Sequence, residues 1–136
     1  MAFLDWYHKV AYRLTKLWVG QKQPDAQFNM GYLYYIGKGV AQDYAEAAKW
    51  YRRAADQGHT SAQFNLGFLY KNGLGVPRDK VLAHMWFDLA ASRAKEWRQM
   101  EEEAKKSRDA VASSMIPAQI AEARKLAGEW KPKKER

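Results

Sequence analysis

The stretch AQFNMGYLYYIGKGV at Ala26–Val40 returns as AQFNLGFLYKNGLGV at Ala62–Val76, 36 residues later. Aligned over Ala26–Gly58 and Ala62–Ala94, the two segments are identical at 15 of 33 positions. A period of about 20–50 residues marks a stacked repeat, because one such unit cannot bury its apolar face alone and must cover it with a neighbour. The chain is therefore expected to be all-α, a solenoid of stacked antiparallel helix pairs.

Each unit reads as helix, turn, helix. Ala26, Met30, Leu33 and Tyr34 recur at i, i+4, i+7 and i+8, one helical face. Gly37 and Gly39, matched by Gly73 and Gly75, stop this helix because glycine supplies positive φ at a helix end. Asp43 and Asp79 stand where an N-cap or first-turn acid starts the next helix. Ala47, Trp50, Tyr51, Ala54 and Ala55 line the second helix, with Trp86 and Phe87 matching Trp50 and Tyr51. Gly31 and Gly67 fall inside the first helices, where glycine costs roughly 1 kcal/mol against alanine. Their recurrence predicts a close approach there that a side chain would block. The rings of Tyr34, Trp50 and Tyr51 are expected between helices, with their polar tips on partners or water.

The typed pattern A-x-x-x-[ML]-G-x-L-Y-x-x-G-x-G-V-x-x-D-x-x-x-A-x-x-W-[YF]-x-x-A-A resembles the Sel-one-like repeat, a relative of the tetratricopeptide repeat. Two complete copies cover residues 25–94, and MIPAQIAEARKLAGEW resembles the terminal segment of many bacterial members. The resemblance implies an α-solenoid acting as a protein-interaction scaffold or adaptor, usually without catalysis of its own. There are departures. Ala94 replaces the glycine expected at the end of the second unit, so the helix from Asp79 either runs on or turns near Ser92–Lys95. Ile116 stands where Ser or Thr usually precedes Pro117.

Two repeats leave open ends, which terminal helices are expected to cap. Leu4, Tyr7, Ala11, Leu14 and Trp18 share a face of the first segment, with Phe3, Val10 and Leu17 beside them. Trp97, Met100, Ala104, Val111 and Met115 share another, as do Ile120, Ala123, Ala127 and Trp130 after Pro117. The expected organisation is a single domain: an N-terminal capping helix over 1–24, repeats over 25–60 and 61–94, C-terminal helices over 95–130, and a basic, frayed tail over 131–136. Glu101–Lys105 and Glu102–Lys106 are expected to pair at i,i+4 on a solvated helix face.

Composition excludes more than it selects. Of 136 residues none is cysteine, which removes disulfides, thiol catalysis and cysteine-metal sites. No stretch has the length of a membrane span, and Asp5, Lys9, Arg13 and Lys16 interrupt any signal-like run, so a cytoplasmic protein is the simplest expectation. The net charge of +8 is spread along the chain, as solubility alone would require. A second reading gives the basic terminal helices a membrane surface or nucleic acid as partner.

No set of acid, base and nucleophile converges, so no enzyme, cofactor or metal site is expected. His8, His59 and His84 lie in separate segments: His59 reads as a solvated loop residue and His84 as a surface or packing residue. GKGV and GLGV lack the spacing and the Lys-Ser/Thr ending of a phosphate-binding loop. The first helices carry a second apolar line, and in tetratricopeptide-type solenoids such positions face the concave groove. By that resemblance Phe28, Tyr32, Tyr35, Phe64, Phe68, Lys71 and Asn72 are expected to line a groove for a protein or peptide partner. The competing reading packs these rings against the chain's own terminal helices. Apolar solenoid ends also allow end-to-end association.

Overall fold

The computed structural model describes residues 2–19 and 22–135, all seven of its regular elements being helices. They are α1 (Ala2–Val19), α2 (Pro24–Ile36), α3 (Tyr44–Asp56), α4 (Thr60–Asn72), α5 (Lys80–Arg93), α6 (Arg98–Ala112) and α7 (Pro117–Glu129). Each helix from α1 to α5 packs on the next, and α7 returns to α5, which is flanked by α4, α6 and α7.

The repeated residues build repeated joints. Gly37 and Gly73 end α2 and α4 in the left-handed region, each donating its N–H to the carbonyl of Leu33 or Leu69. The loop then closes back on the helix: Asp43 N–H reaches the Tyr34 carbonyl and Asp79 N–H the Tyr70 carbonyl, both at 3.0 Å. Asp43 and Asp79 cap α3 and α5 by accepting from the backbone N–H of Glu46 and Leu82, both at 3.0 Å. Such a cap contributes about 1 kcal/mol.

The helical glycines are seats for rings. A Cβ built on Gly31 would lie 2.6 Å from Cδ1 of Tyr51, and one on Gly67 would lie 2.9 Å from Cδ1 of Phe87. The second helix thus presses an aromatic ring onto the bare backbone of the first, once in each unit. Tyr51, Phe87 and Trp86 are among the largest fully buried side chains. Around them lie Ala47, Ala48, Ala54, Ala55, Ala62, Leu66 and Leu69. Small residues let the helix axes approach, and the rings fill what remains.

The polar tips of the rings are not uniformly satisfied. Tyr34 meets the Tyr12 hydroxyl at 3.3 Å. The buried Tyr51 hydroxyl makes no well-formed hydrogen bond, and burial pushes its pKa far above the ordinary phenol value against a weaker opposing pull from the Asn65 side chain. Repeat two places Phe87 at the same position. Tyr51→Phe is therefore expected to raise the unfolding free energy by at most about 1 kcal/mol, since a poorly paired buried hydroxyl is lost at no cost in shape and only its weak contact with Asn65 goes with it. Urea unfolding followed by circular dichroism reads the shift in midpoint.

Several expectations change. The second unit turns without glycine: α5 ends at Arg93, Ala94 takes φ −92 and ψ 25, and the Trp97 N–H reaches the Ala94 carbonyl at 2.8 Å. Trp97 is itself half exposed, so the first residue of the anticipated apolar face lies bare while Ala104 and Val111 are buried. Before Pro117, the Gln119 side chain takes over the capping role by accepting from the Ile116 N–H at 3.1 Å. Glu101 pairs with Lys105 at 2.6 Å, but Glu102 turns back to Arg98 at 3.0 Å instead of forward to Lys106.

The tail is not frayed over its described residues. The Lys133 N–H donates to the Asp56 carbonyl at 2.7 Å, laying the tail segment along the end of α3. The Glu135 carboxylate then accepts from Arg53 Nη2 at 2.6 Å and from Nε2 of the fully buried Gln27 at 2.8 Å. The Arg53 guanidinium holds the Glu135 carboxyl below its usual pKa.

α1 caps repeat one with an unanticipated face. Tyr12 packs toward Ala26, Met30 and Tyr34, and the His8 carbonyl lies against Gly39. Leu4, Tyr7 and Leu14, from the apolar stripe expected to make this contact, are more than half exposed, while Ala11 is half-buried. The side chain of Trp18 lies outside the described residues.

Candidate functional site

The second apolar line of the first helices resolves into walls and bare rings. Phe28 stacks on His59 with centroids 4.8 Å apart and also meets Tyr51 at 5.6 Å, so it serves the core of its own unit. Tyr35 lies against Tyr44 at 5.4 Å. Phe64 lies against Phe87 at 5.4 Å and packs toward Ala104 and Val111 of α6. These three are half-buried. Tyr32 and Phe68 differ, with 47% and 38% of their surface exposed.

Tyr32 and Tyr35 on α2 meet Phe64, Asn65 and Phe68 on α4 around one cleft of about 260 Å³. Small-molecule sites usually measure about 300–1,000 Å³. The cleft is on the scale of one or two inserted side chains. Asn65 is the lining residue that the apolar pattern missed. Its only sequence signal was the N repeated in AQFN. Of the seven anticipated residues, Phe28 faces the core, while Lys71 and Asn72 are exposed outside the cleft lining. The Asn72 amide is already used, donating to the Phe68 carbonyl at 3.0 Å.

His59 is not a solvated loop residue. Only 17% of its side chain is exposed. Its Nδ1 accepts from the Ala62 N–H at 3.1 Å and so caps α4, while Nε2 faces the Asp25 carboxylate at 3.0 Å. An imidazole whose Nδ1 accepts from an amide carries its proton on Nε2, where it donates to Asp25. Both ring nitrogens are thus committed, and neither is free to take a substrate proton. His84 is buried in α5 as a packing residue. No group of three or more His, Asp or Glu among the described residues is arranged to hold a metal.

Burial lowers the pKa of both imidazoles below 6.5, for His59 against the opposing pull of Asp25. The folded chain therefore holds them neutral, and the unfolded chain binds more protons once the pH drops through 6.5. Stability is expected to be full above that value, to fall as the pH drops below it, and to level off beneath the lowered folded values. Thermal melting from pH 8 to pH 5 reads this slope. His59→Asn, which keeps a capping oxygen without titrating, should remove the His59 share of the slope and leave that of His84.

The relatives agree with this architecture. The Sel1 repeat description matches residues 24–59 and 60–95. A protective antigen present in uropathogenic Escherichia coli strains, displaying an SLR fold, superposes with a TM-score of 0.82 at 35% identity. The match covers 90% of this chain and 25% of that one. A Sel1 repeat protein from Oxalobacter formigenes gives a TM-score of 0.59 at 41% identity, covering 60% of this chain and 63% of the other. The chain thus spans about a quarter of the first and under two thirds of the second. The curated proteins contain no match. Sel1 repeat proteins are generally protein-interaction scaffolds. With two consecutive matches over more than half of its length, each coinciding with one glycine-seated helix pair, the chain belongs to the Sel1 repeat family.

Proposed function

We propose that the chain is a non-catalytic adaptor that binds a protein partner at the cleft between α2 and α4. The observation that carries this reading is the pair of bare rings: Tyr32 and Phe68 stand exposed over a cleft walled by Tyr35, Phe64 and Asn65. Large aromatics beside a preformed apolar recess are the usual anchors of a protein interface. An amphipathic segment would insert one or two apolar side chains into the recess and cover Tyr32 and Phe68 with its flanks. Lys71, exposed one residue before the end of α4, would meet a carboxylate of the same segment.

The double variant Tyr32→Ala and Phe68→Ala tests this. Both rings are substantially exposed, so the melting temperature should drop only a few degrees while partner capture from native lysate falls. Each central ring removed should weaken binding by about 2 kcal/mol, roughly thirtyfold. Equal capture by the folded variant and the original chain overturns the assignment. A collapse of stability would instead return the rings to the core.

A further inference from the structure

We propose that α1 docks the solenoid onto anionic lipid surfaces, lying in the interface without crossing it. Among the described residues, α1 supplies six of the ten exposed large hydrophobics. Leu17 is 73% exposed, Phe3 71% and Trp6 59%. At about 100° per residue, Trp6, Leu17, Phe3, Leu14 and Tyr7 form one continuous stripe, with the half-buried Val10 inside it. The face toward repeat one, carried by Tyr12, the His8 backbone against Gly39, and Thr15 beside Ala26 and Asn29, is centred roughly 150° away. The body of the solenoid therefore sits on the far side of α1; Leu14 at the stripe's edge borders a cleft with Ala26 and Asn29 of α2, while Phe3, Trp6 and Leu17 are left free to approach a plane.

Charge selects the occupant. Lys9, Arg13 and Lys16 lie between the packed face and the stripe, all exposed, against the single carboxylate of Asp5. An interface helix has this composition: aromatics and leucines on one face, and lysine and arginine along the edge at headgroup depth. A second copy of α1 would answer the apolar stripe equally well. It would also bring two net-positive helices together, whereas phosphatidylserine or another acidic lipid neutralises all three cations. No described helix is long and apolar enough to span a membrane, so binding would be peripheral.

The test uses the whole chain and two variants, with vesicles of phosphatidylcholine carrying or lacking phosphatidylserine. The original chain should co-sediment with the acidic vesicles, bind the neutral ones far less, and release as salt rises. Phe3→Asp with Leu17→Asp should abolish binding while leaving helicity and melting unchanged, because both side chains are solvent-exposed. Lys9→Gln, Arg13→Gln and Lys16→Gln together should reduce partitioning by roughly fivefold per charge, about a hundredfold in total. The Tyr32→Ala, Phe68→Ala variant should bind vesicles normally, which separates this proposal from the cleft. No co-sedimentation at low salt overturns it, as does undiminished binding by the aspartate variant, which would move the contact to other basic segments. Self-association in sedimentation velocity that the aspartate variant abolishes, without vesicle binding by the original chain, overturns it in favour of a second copy.

Discussion

Phe87→Ala is expected to destabilise the chain by about 3–5 kcal/mol, the usual loss for a fully buried phenylalanine. The ring is seated on the backbone of Gly67, touches Phe64, and joins Ala83 of α5 to Val111 of α6. Its removal leaves Gly67, which has no side chain of its own, facing a void. The melting temperature should fall by roughly 10 °C or more. Hydrogen exchange should rise first in α6, because Phe87 and Phe64 lie where that helix meets the second repeat. A loss under about 1 kcal/mol would mean that the repeat is not held together by this ring.

Gly75→Ala should be comparably severe for a different reason. Gly75 has φ +71, and an added Cβ would strike the backbone carbonyl of Tyr44 at the start of α3. A side chain can move aside, but the first turn of a helix cannot without giving up its cap. The left-handed conformation costs alanine about 1–2 kcal/mol and the forced displacement about 1–3 more, together about 3 kcal/mol or more. Gly73→Asn is the control. That position has φ +65, but a Cβ there would meet the side chain of Arg78 at 3.2 Å rather than a helix backbone. Asparagine tolerates the left-handed region, so the loss should stay near 1 kcal/mol. Similar losses for the two variants in chemical unfolding would show that backbone strain alone, and not the approach to α3, sets the requirement for glycine.

The same joint recurs at the N-terminal end. Gly39 lies against the backbone of His8 as Gly75 lies against that of Tyr44, and these helix positions are also 36 residues apart. α1 therefore stands where the second helix of a preceding unit would stand. The sequence repeat does not reveal this, because α1 keeps the backbone relationship while its residues diverge. The apolar stripe was legible as a period, but its partner was not. Tyr12, one polar-tipped residue off the stripe, took the contact through Tyr34.

The candidate site divides in the same way. Phe28, Tyr32, Phe64 and Phe68 were visible as a line, since two residues four apart share a helical face whatever surrounds them. Which of them stay bare depends on neighbours from elsewhere in the chain. His59 stacks on Phe28, and Phe64 packs into the clusters that α5 shares with α6, while Tyr32 and Phe68 keep 47% and 38% of their surface exposed. His59 itself looked like a loop residue because its partner, Asp25, lies 34 positions back on another helix. Glu135 looked like part of a loose end because the groups that hold it, Arg53 and Gln27, are 82 and 108 positions away.

By itself, the sequence determined the unit: its helix pair, its aspartate caps, its glycine loop and the ring-on-glycine seat. Each of these is set by local dihedral preference or by helical spacing, and each is written twice. Tertiary structure alone decided the face by which α1 docks, the return of α7 to α5, the pairing of His59 with Asp25 and the clasp on Glu135. Periodicity says that a face is apolar and a charge says that it wants a partner. Only packing selects, among many surfaces of similar chemistry, the one that excludes water from both.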